Sequence, residues 1–155
     1  MIYAARSGLT KNAAILTEPA IFDIIPMIRG EKMKLHESAE NYLETIYILK
    51  KKFGYVRGVD IARELNFSKP SASRAVANLK EDGLVTLDPN GMILLTDEGY
   101  KIAESVFARH TFLKNFLISI GVEEQDANDE ACKIEHDISL DTFEKMKKAF
   151  PDIEC

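Results

Sequence analysis

Apolar positions recur at helical spacing along most of this chain, interrupted near its middle by two short apolar runs of strand character. Residues 39–52 place Tyr42, Leu43, Ile46, Tyr47 and Leu49 on one broad face, with Ser38 as the N-cap and Gly54 as the stop. A short helix is expected over residues 57–65, with Val59, Ile61, Ala62 and Leu65 turned inward. Ser68 caps a third helix that tolerates Pro70 in its first turn, buries Ala72, Val76 and Leu79, and stops at Gly83. Residues 84–87 and 92–95 read as strands joined by the turn D-P-N-G. Thr96, followed by Asp97 and Glu98, caps a long helix to about residue 120, where Gly121 breaks it. Helices over about 123–137 and over 140–150, the latter ending before Pro151, complete the pattern.

The order three helices, two strands, three helices predicts a mostly α protein with a small β wing: a winged helix-turn-helix domain followed by an all-helical domain. The expected divisions are residues 1–32, 33–96 and 97–155. The first segment carries Pro19, Pro26 and short apolar patches without a sustained period, and it lacks the form of a secretory signal. Arg29-Gly30-Glu31-Lys32-Met33 can be encoded by a purine-rich string resembling a bacterial ribosome-binding site ahead of a start codon. Met33 is therefore expected as the natural start and residues 1–32 as translated leader, without an assigned function.

At 155 residues the chain can bury a genuine core, and no apolar stretch approaches the roughly 20 residues needed to span a bilayer. The cysteines are only two, Cys132 and Cys155, which is no disulfide framework and points to a reducing cytoplasm. The net charge of -5 is unevenly spread. Residues 121–155 hold 4 Lys/Arg against 11 Asp/Glu, whereas residues 1–120 hold 16 against 14. The acidity sits in the part that need not touch nucleic acid and is suited to attract cations.

A recognition helix enters the major groove with small polar and basic side chains at its start. Ser68, Lys69, Pro70, Ser71, Ser73 and Arg74 occupy that end of the third helix. Hydroxyls and backbone N–H groups there suit phosphate, Lys69 adds charge, and Arg74 suits guanine. The plain alternative is a solvated helix face in a protein-binding module. The wing turn has no Lys or Arg, so it should add little to DNA affinity.

The run E-A-C-K-I-E-H carries a second kind of chemistry. On a helix Cys132, Glu135 and His136 stand at i, i+3 and i+4, so a thiolate, a carboxylate and an imidazole converge on a single ion. Asn41 and Glu44 on the first helix and His110 on the long helix are further candidate ligands. Mixed oxygen, nitrogen and sulfur donors suit a middle or late first-row divalent ion better than magnesium or calcium. Taken singly, His110 would be a core histidine, Glu44 a solvated acid and Cys132 a small buried hydrophobe; the spacing is what favours ligation. No motif for a nucleophile, an organic cofactor or a phosphate loop supports an enzyme.

Four collinear stretches carry a family resemblance: S-A-E-N-Y-L-E-T-I-Y (38–47), S-K-P-S-A-S-R-A-V-A-N-L-K-E-D-G-L-V (68–85), A-R-H (108–110) and D-E-A-C-K-I-E-H (129–136). With these the chain resembles the diphtheria toxin repressor and manganese transport regulator family of iron- and manganese-dependent transcriptional repressors. The resemblance implies a homodimer, a helical dimerisation domain after the winged helix, and Fe²⁺ or Mn²⁺ as corepressor. It places Cys132, Glu135 and His136 on the ligand motif, and Glu44 and His110 on positions used for metal in parts of the family. Asn41 departs from it, standing where iron-type members have Met and manganese-type members Asp. Lys114 and Asn128 stand where iron-type members have further ligands, so no second site of that kind is expected.

The thiolate and the neutral Asn41 amide favour Fe²⁺ as first choice and Mn²⁺ as second, with Zn²⁺, Co²⁺ or Ni²⁺ able to bind in vitro. The expected mechanism has the ion tying the DNA-reading part to the dimer part, which spaces two recognition helices for a palindromic operator in double-stranded DNA. Metal-uptake genes are the expected targets, and no membrane partner is expected. The alternative is a winged-helix regulator of an organic ligand, with Cys132 and His136 structural.

Overall fold

In the computed structural model the described residues are 37–155. The expectation of a leader ending before Met33, and of Met33 as a start, lies outside them. The elements are α1 (Glu37–Phe53), α2 (Gly58–Glu64), α3 (Lys69–Glu81), β1 (Val85–Leu87), β2 (Ile93–Leu95), α4 (Asp97–Ser119), α5 (Glu124–Ile134) and α6 (Leu140–Ala149). Among the described residues no helix is long and apolar enough to cross a membrane.

The first core forms where α1 meets α2, α3, the strands and the first half of α4, which contributes Ala103 and Phe107. Leu43, Ile46, Val56, Ile61 and Ala72 are fully buried there, with Leu49, Leu79, Val85 and Ile93 nearly so. Each large aliphatic side chain removed from water contributes roughly 1.5–3 kcal/mol, so this cluster is what holds α1 to α3. Two expectations fail locally. Ser38 lies inside α1, not ahead of it. Val59 is 44% exposed, because Ile61 and Ala62 already fill the inward side of a helix only 7 residues long.

Local chemistry sets the other boundaries. The Ser68 hydroxyl accepts the Ser71 N–H at 3.3 Å, Thr96 accepts that of Gly99 at 3.1 Å, and Ser139 accepts that of Thr142 at 3.1 Å. In the wing, β1 and β2 are antiparallel with Val85 opposite Leu95 and Leu87 opposite Ile93. Asp88 shapes the turn by accepting the N–H groups of Asn90 and Met92, both at 2.8 Å. Ile93 also donates to the Val56 carbonyl at 2.8 Å, which ties the wing to the segment before α2. Gly99 is required by contact: a Cβ there would lie 2.0 Å from the Leu84 carbonyl oxygen, where α4 crosses the start of β1.

A smaller second core joins α4, α5 and α6 through Phe112, Leu113, Ala131 and Phe143, with Phe116, Ile138 and Met146 against it. Phe112 and Phe143 meet edge to face at 5.6 Å between ring centroids. The last two helices end sooner than expected. α6 stops at Ala149 because Phe150 precedes Pro151 and takes an extended φ of −128°. α5 stops at Ile134, and Glu135, His136 and Asp137 form the turn that brings Ile138 into the second core.

Candidate metal centre and nucleic-acid interface

α1 has a second face, opposite in character to the first core. Glu40, Asn41 and Glu44 lie there and meet His110 of α4 and the Glu135-His136 pair in the turn after α5. Glu44, Glu135 and His136 are buried although charged or polar, and Glu135 is fully so. Glu135 keeps a helical backbone and still donates to the Ala131 carbonyl at 3.0 Å, so its side chain leaves in the direction that a continued helix would give it.

Ligand atoms of Glu44, His110 and Glu135 all lie within 4.8 Å of one another. Glu135 Oε2 is 2.7 Å from His110 Nδ1, and His110 Nε2 is 3.2 Å from Asn128 Oδ1. His136 sits beside this triad, with Nε2 2.8 Å from Asn41 Oδ1 and 3.4 Å from Glu135 Oε1. Its Nδ1 is 2.8 Å from Glu40 Oε2, which Arg109 also approaches at 3.2 Å. Cys132 is not a member of the triad. It is half-buried and free, one turn before Glu135. Lys114 pairs with Glu124 at 2.9 Å, next to Asn128.

The electrostatics are those of an acid cluster short of positive charge. Burial and then the Glu135 carboxylate push Glu44 from its ordinary value to about 7, against the pull of His110, His136 and Arg109. The hydrogen bond to Glu135 raises His110, with further help from the charges of Glu135 and Glu44, although burial acts the other way. Burial raises the Cys132 thiol, and Glu135 and Glu44 add to it. Glu44 Oε1 and Glu135 Oε1 are buried without a hydrogen-bond partner. Two orphaned carboxylate oxygens beside an imidazole are the donor set of a hard to borderline divalent cation, so the residues fit such an ion.

Sequence reasoning missed Glu40 and Arg109. Glu40 lies four residues before Glu44 on the same helix face, which was a usable signal. Arg109 is separated from Glu40 by 69 positions, so only the fold reveals their pairing.

The other candidate site lies on α3. Lys69, Pro70, Ser73 and Arg74 are exposed at its N-terminal end, while Ser71 is half-buried. The Ser68 and Ser71 hydroxyls are 2.8 Å apart, so Ser68 is engaged in capping. Between α3, the start of α2 and the wing runs a groove of about 640 Å³ lined by Arg57, Lys69, Ser73 and Lys80 among others. Arg57 Nε lies 3.4 Å from Met92 Sδ, which sets a cation at the base of a wing that has none of its own.

Comparison with known proteins identifies the two parts of the chain that carry these candidate sites. Residues 34–92 match the iron dependent repressor N-terminal DNA binding domain, and residues 96–154 match the iron dependent repressor metal binding and dimerisation domain. The chain belongs to the iron-dependent repressor family, whose members are metal-dependent transcriptional repressors and not enzymes. It is similar to an HTH-type transcriptional regulator of Methanocaldococcus jannaschii, at 31% identity over 115 residues, 73% of this chain and 92% of that one. The HTH-type transcriptional regulator MntR of Bacillus pumilus is 34% identical over 109 residues, 70% of this chain and 76% of that protein. A solved manganese-dependent transcriptional repressor in complex with manganese superposes with a TM-score of 0.67 at 28% identity, over 73% of this chain. This chain spans 52% of that longer one. A DNA-binding domain and a metal-binding, dimerising domain are therefore what this chain contains, and an organic-ligand sensor is not favoured.

Proposed function

We propose that a homodimer of this protein grips a palindromic operator only when a divalent ion joins α1 to the α4–α5 region, and that it thereby represses metal-uptake genes. The observation that carries this reading is the buried triad of Glu44, His110 and Glu135, with ligand atoms within 4.8 Å of one another and drawn from three separate segments. Asn41 and His136 extend the donor set, and Cys132 stands at its margin. A bound ion would add positive charge beside Glu44 Oε1 and Glu135 Oε1, the two carboxylate oxygens without a hydrogen-bond partner.

The donors rank Mn²⁺ ahead of Fe²⁺. The sequence ranks Fe²⁺ first on the Cys132 thiolate and the neutral Asn41 amide, whereas the atoms gathered most closely are two carboxylates and an imidazole, which suit harder ions. The names of the relatives point the same way. Ser68, Lys69, Pro70, Ser71, Ser73 and Arg74 form the reading end of α3, with Arg74 set for a base edge and Lys69 for phosphate.

A palindromic duplex selected from a random pool with Mn²⁺-loaded protein provides the operator for the test. Mobility shift should show tight binding with Mn²⁺ and only weak, salt-sensitive binding after chelation. Equal affinity in both conditions would contradict the corepressor role.

A further inference from the structure

Glu40 holds a buried histidine and a buried arginine at once, and it is no member of the triad. Its Oε2 lies 2.8 Å from His136 Nδ1 and 3.2 Å from Arg109 Nη2, with its side chain 16% exposed. We propose that Glu40 is a positioning residue for the metal centre: it keeps the His136 proton on Nδ1, so that the Nε2 lone pair faces Asn41 and Glu135. This rests on the reading of His136 as a ligand.

The chemistry follows from what each group can donate. A neutral imidazole carries one proton, and an unconstrained histidine prefers it on Nε2, which would block that atom as a ligand. An ionised carboxylate only accepts, so a carboxylate 2.8 Å from Nδ1 requires the proton there. The freed Nε2 lies 2.8 Å from the Asn41 amide and 3.4 Å from Glu135 Oε1, in the middle of the candidate ligands. The Asn41 amide suits either state of Nε2, because its oxygen accepts from a protonated ring and its NH₂ group, after rotation, donates to a bare one. Arg109, reaching from α4, balances the Glu40 charge and fixes the direction of the carboxylate. A carboxylate behind a ligating histidine both orients the ring and makes it a better donor. A plain α1–α4 ion pair would need no histidine between them.

Long-range ¹H–¹⁵N NMR on metal-free protein labelled at histidine reads the tautomer directly, at a pH above the imidazole range. The wild-type His136 should carry its proton on Nδ1. Glu40→Ala should move the ring toward the Nε2–H form, and Glu40→Gln, whose amide oxygen still accepts, should retain Nδ1–H. Competition of Mn²⁺ and of Zn²⁺ against a chelating dye should show a loss of about 10–100-fold for Glu40→Ala and a smaller loss for Glu40→Gln. An unchanged tautomer or unchanged metal affinity in Glu40→Ala would overturn the proposal. Glu40→Gln keeps the side-chain shape, so if the alanine variant fails to fold, an Nε2–H ring or an unchanged metal affinity in Glu40→Gln overturns the proposal. Wild-type protein that binds neither ion would remove the metal reading itself, which the variants do not touch.

Discussion

The two faces of α1 hold their neighbours by opposite means. Toward α2, α3 and the wing, Leu43, Ile46 and Leu49 enter an apolar core without ionisable carboxylates or imidazoles. Toward His110 of α4 and the end of α5, Glu40, Asn41 and Glu44 enter a cluster in which two buried carboxylate oxygens have no hydrogen-bond partner. The first core also takes in Ala103 and Phe107 of α4, so apolar burial carries the reading head onto α4, and the acid cluster adds a charge-dependent link to His110 and Glu135. That arrangement suits the proposed mechanism, in which the part that touches DNA stays folded while its placement responds to the ion.

Breaking each face should separate the two behaviours. The largest effect is expected at Leu43, which is fully buried, where Leu43→Ala should cost about 2–5 kcal/mol in chemical denaturation, with or without Mn²⁺. Metal-independence of that loss is the point of the experiment; a loss confined to the metal-loaded protein would merge the two faces into one.

The polar face should instead respond to pH. The Glu44 carboxyl is raised from 4.5 to about 7, so its contribution is fully present below the unfolded value and is lost as the pH rises through about 7. His110 is also raised and acts in the same sense. Metal-free protein should therefore be less stable at pH 8 than at pH 5, by on the order of 3 kcal/mol from Glu44. Glu44→Gln should flatten that slope in denaturation curves, and Mn²⁺ should restore more stability at high pH than at low. A metal-free stability that rises across this range would contradict the reading of the acid cluster.

Smaller changes are expected on the DNA side. Arg74→Ala should weaken operator binding by about 1–3 kcal/mol and relax base preference at one position, without altering Mn²⁺ affinity in calorimetry. Arg57→Ala should lower affinity for all duplexes alike, reducing the slope of log affinity against log salt by about 0.9 if the groove holds one phosphate at that side chain. An unchanged slope would leave Arg57 as a structural neighbour of Met92.

The legible parts of this molecule were those written in neighbouring residues. Ser68 and Thr96 announce helix starts, and Asp88 to Gly91 announces the wing turn, because each depends on contacts a few positions apart. Val59 was misread because a helix this short does not have to bury every apolar side chain it carries. Cys132, Glu135 and His136 share a spacing, yet which of them gather around one point depends on α1 and α4, which lie far away in sequence. The Glu40–His136 contact spans 96 positions and could be seen only once the chain was folded.

The central claim is that one ion couples the acid face of α1 to DNA reading, and reciprocity tests it most directly. Mn²⁺ affinity should be measured by titration with and without saturating operator duplex. Because linkage is mutual, the operator should tighten Mn²⁺ binding by about 5–150-fold, the same factor by which Mn²⁺ tightens operator binding. Identical Mn²⁺ affinity in the presence and absence of DNA would contradict the account.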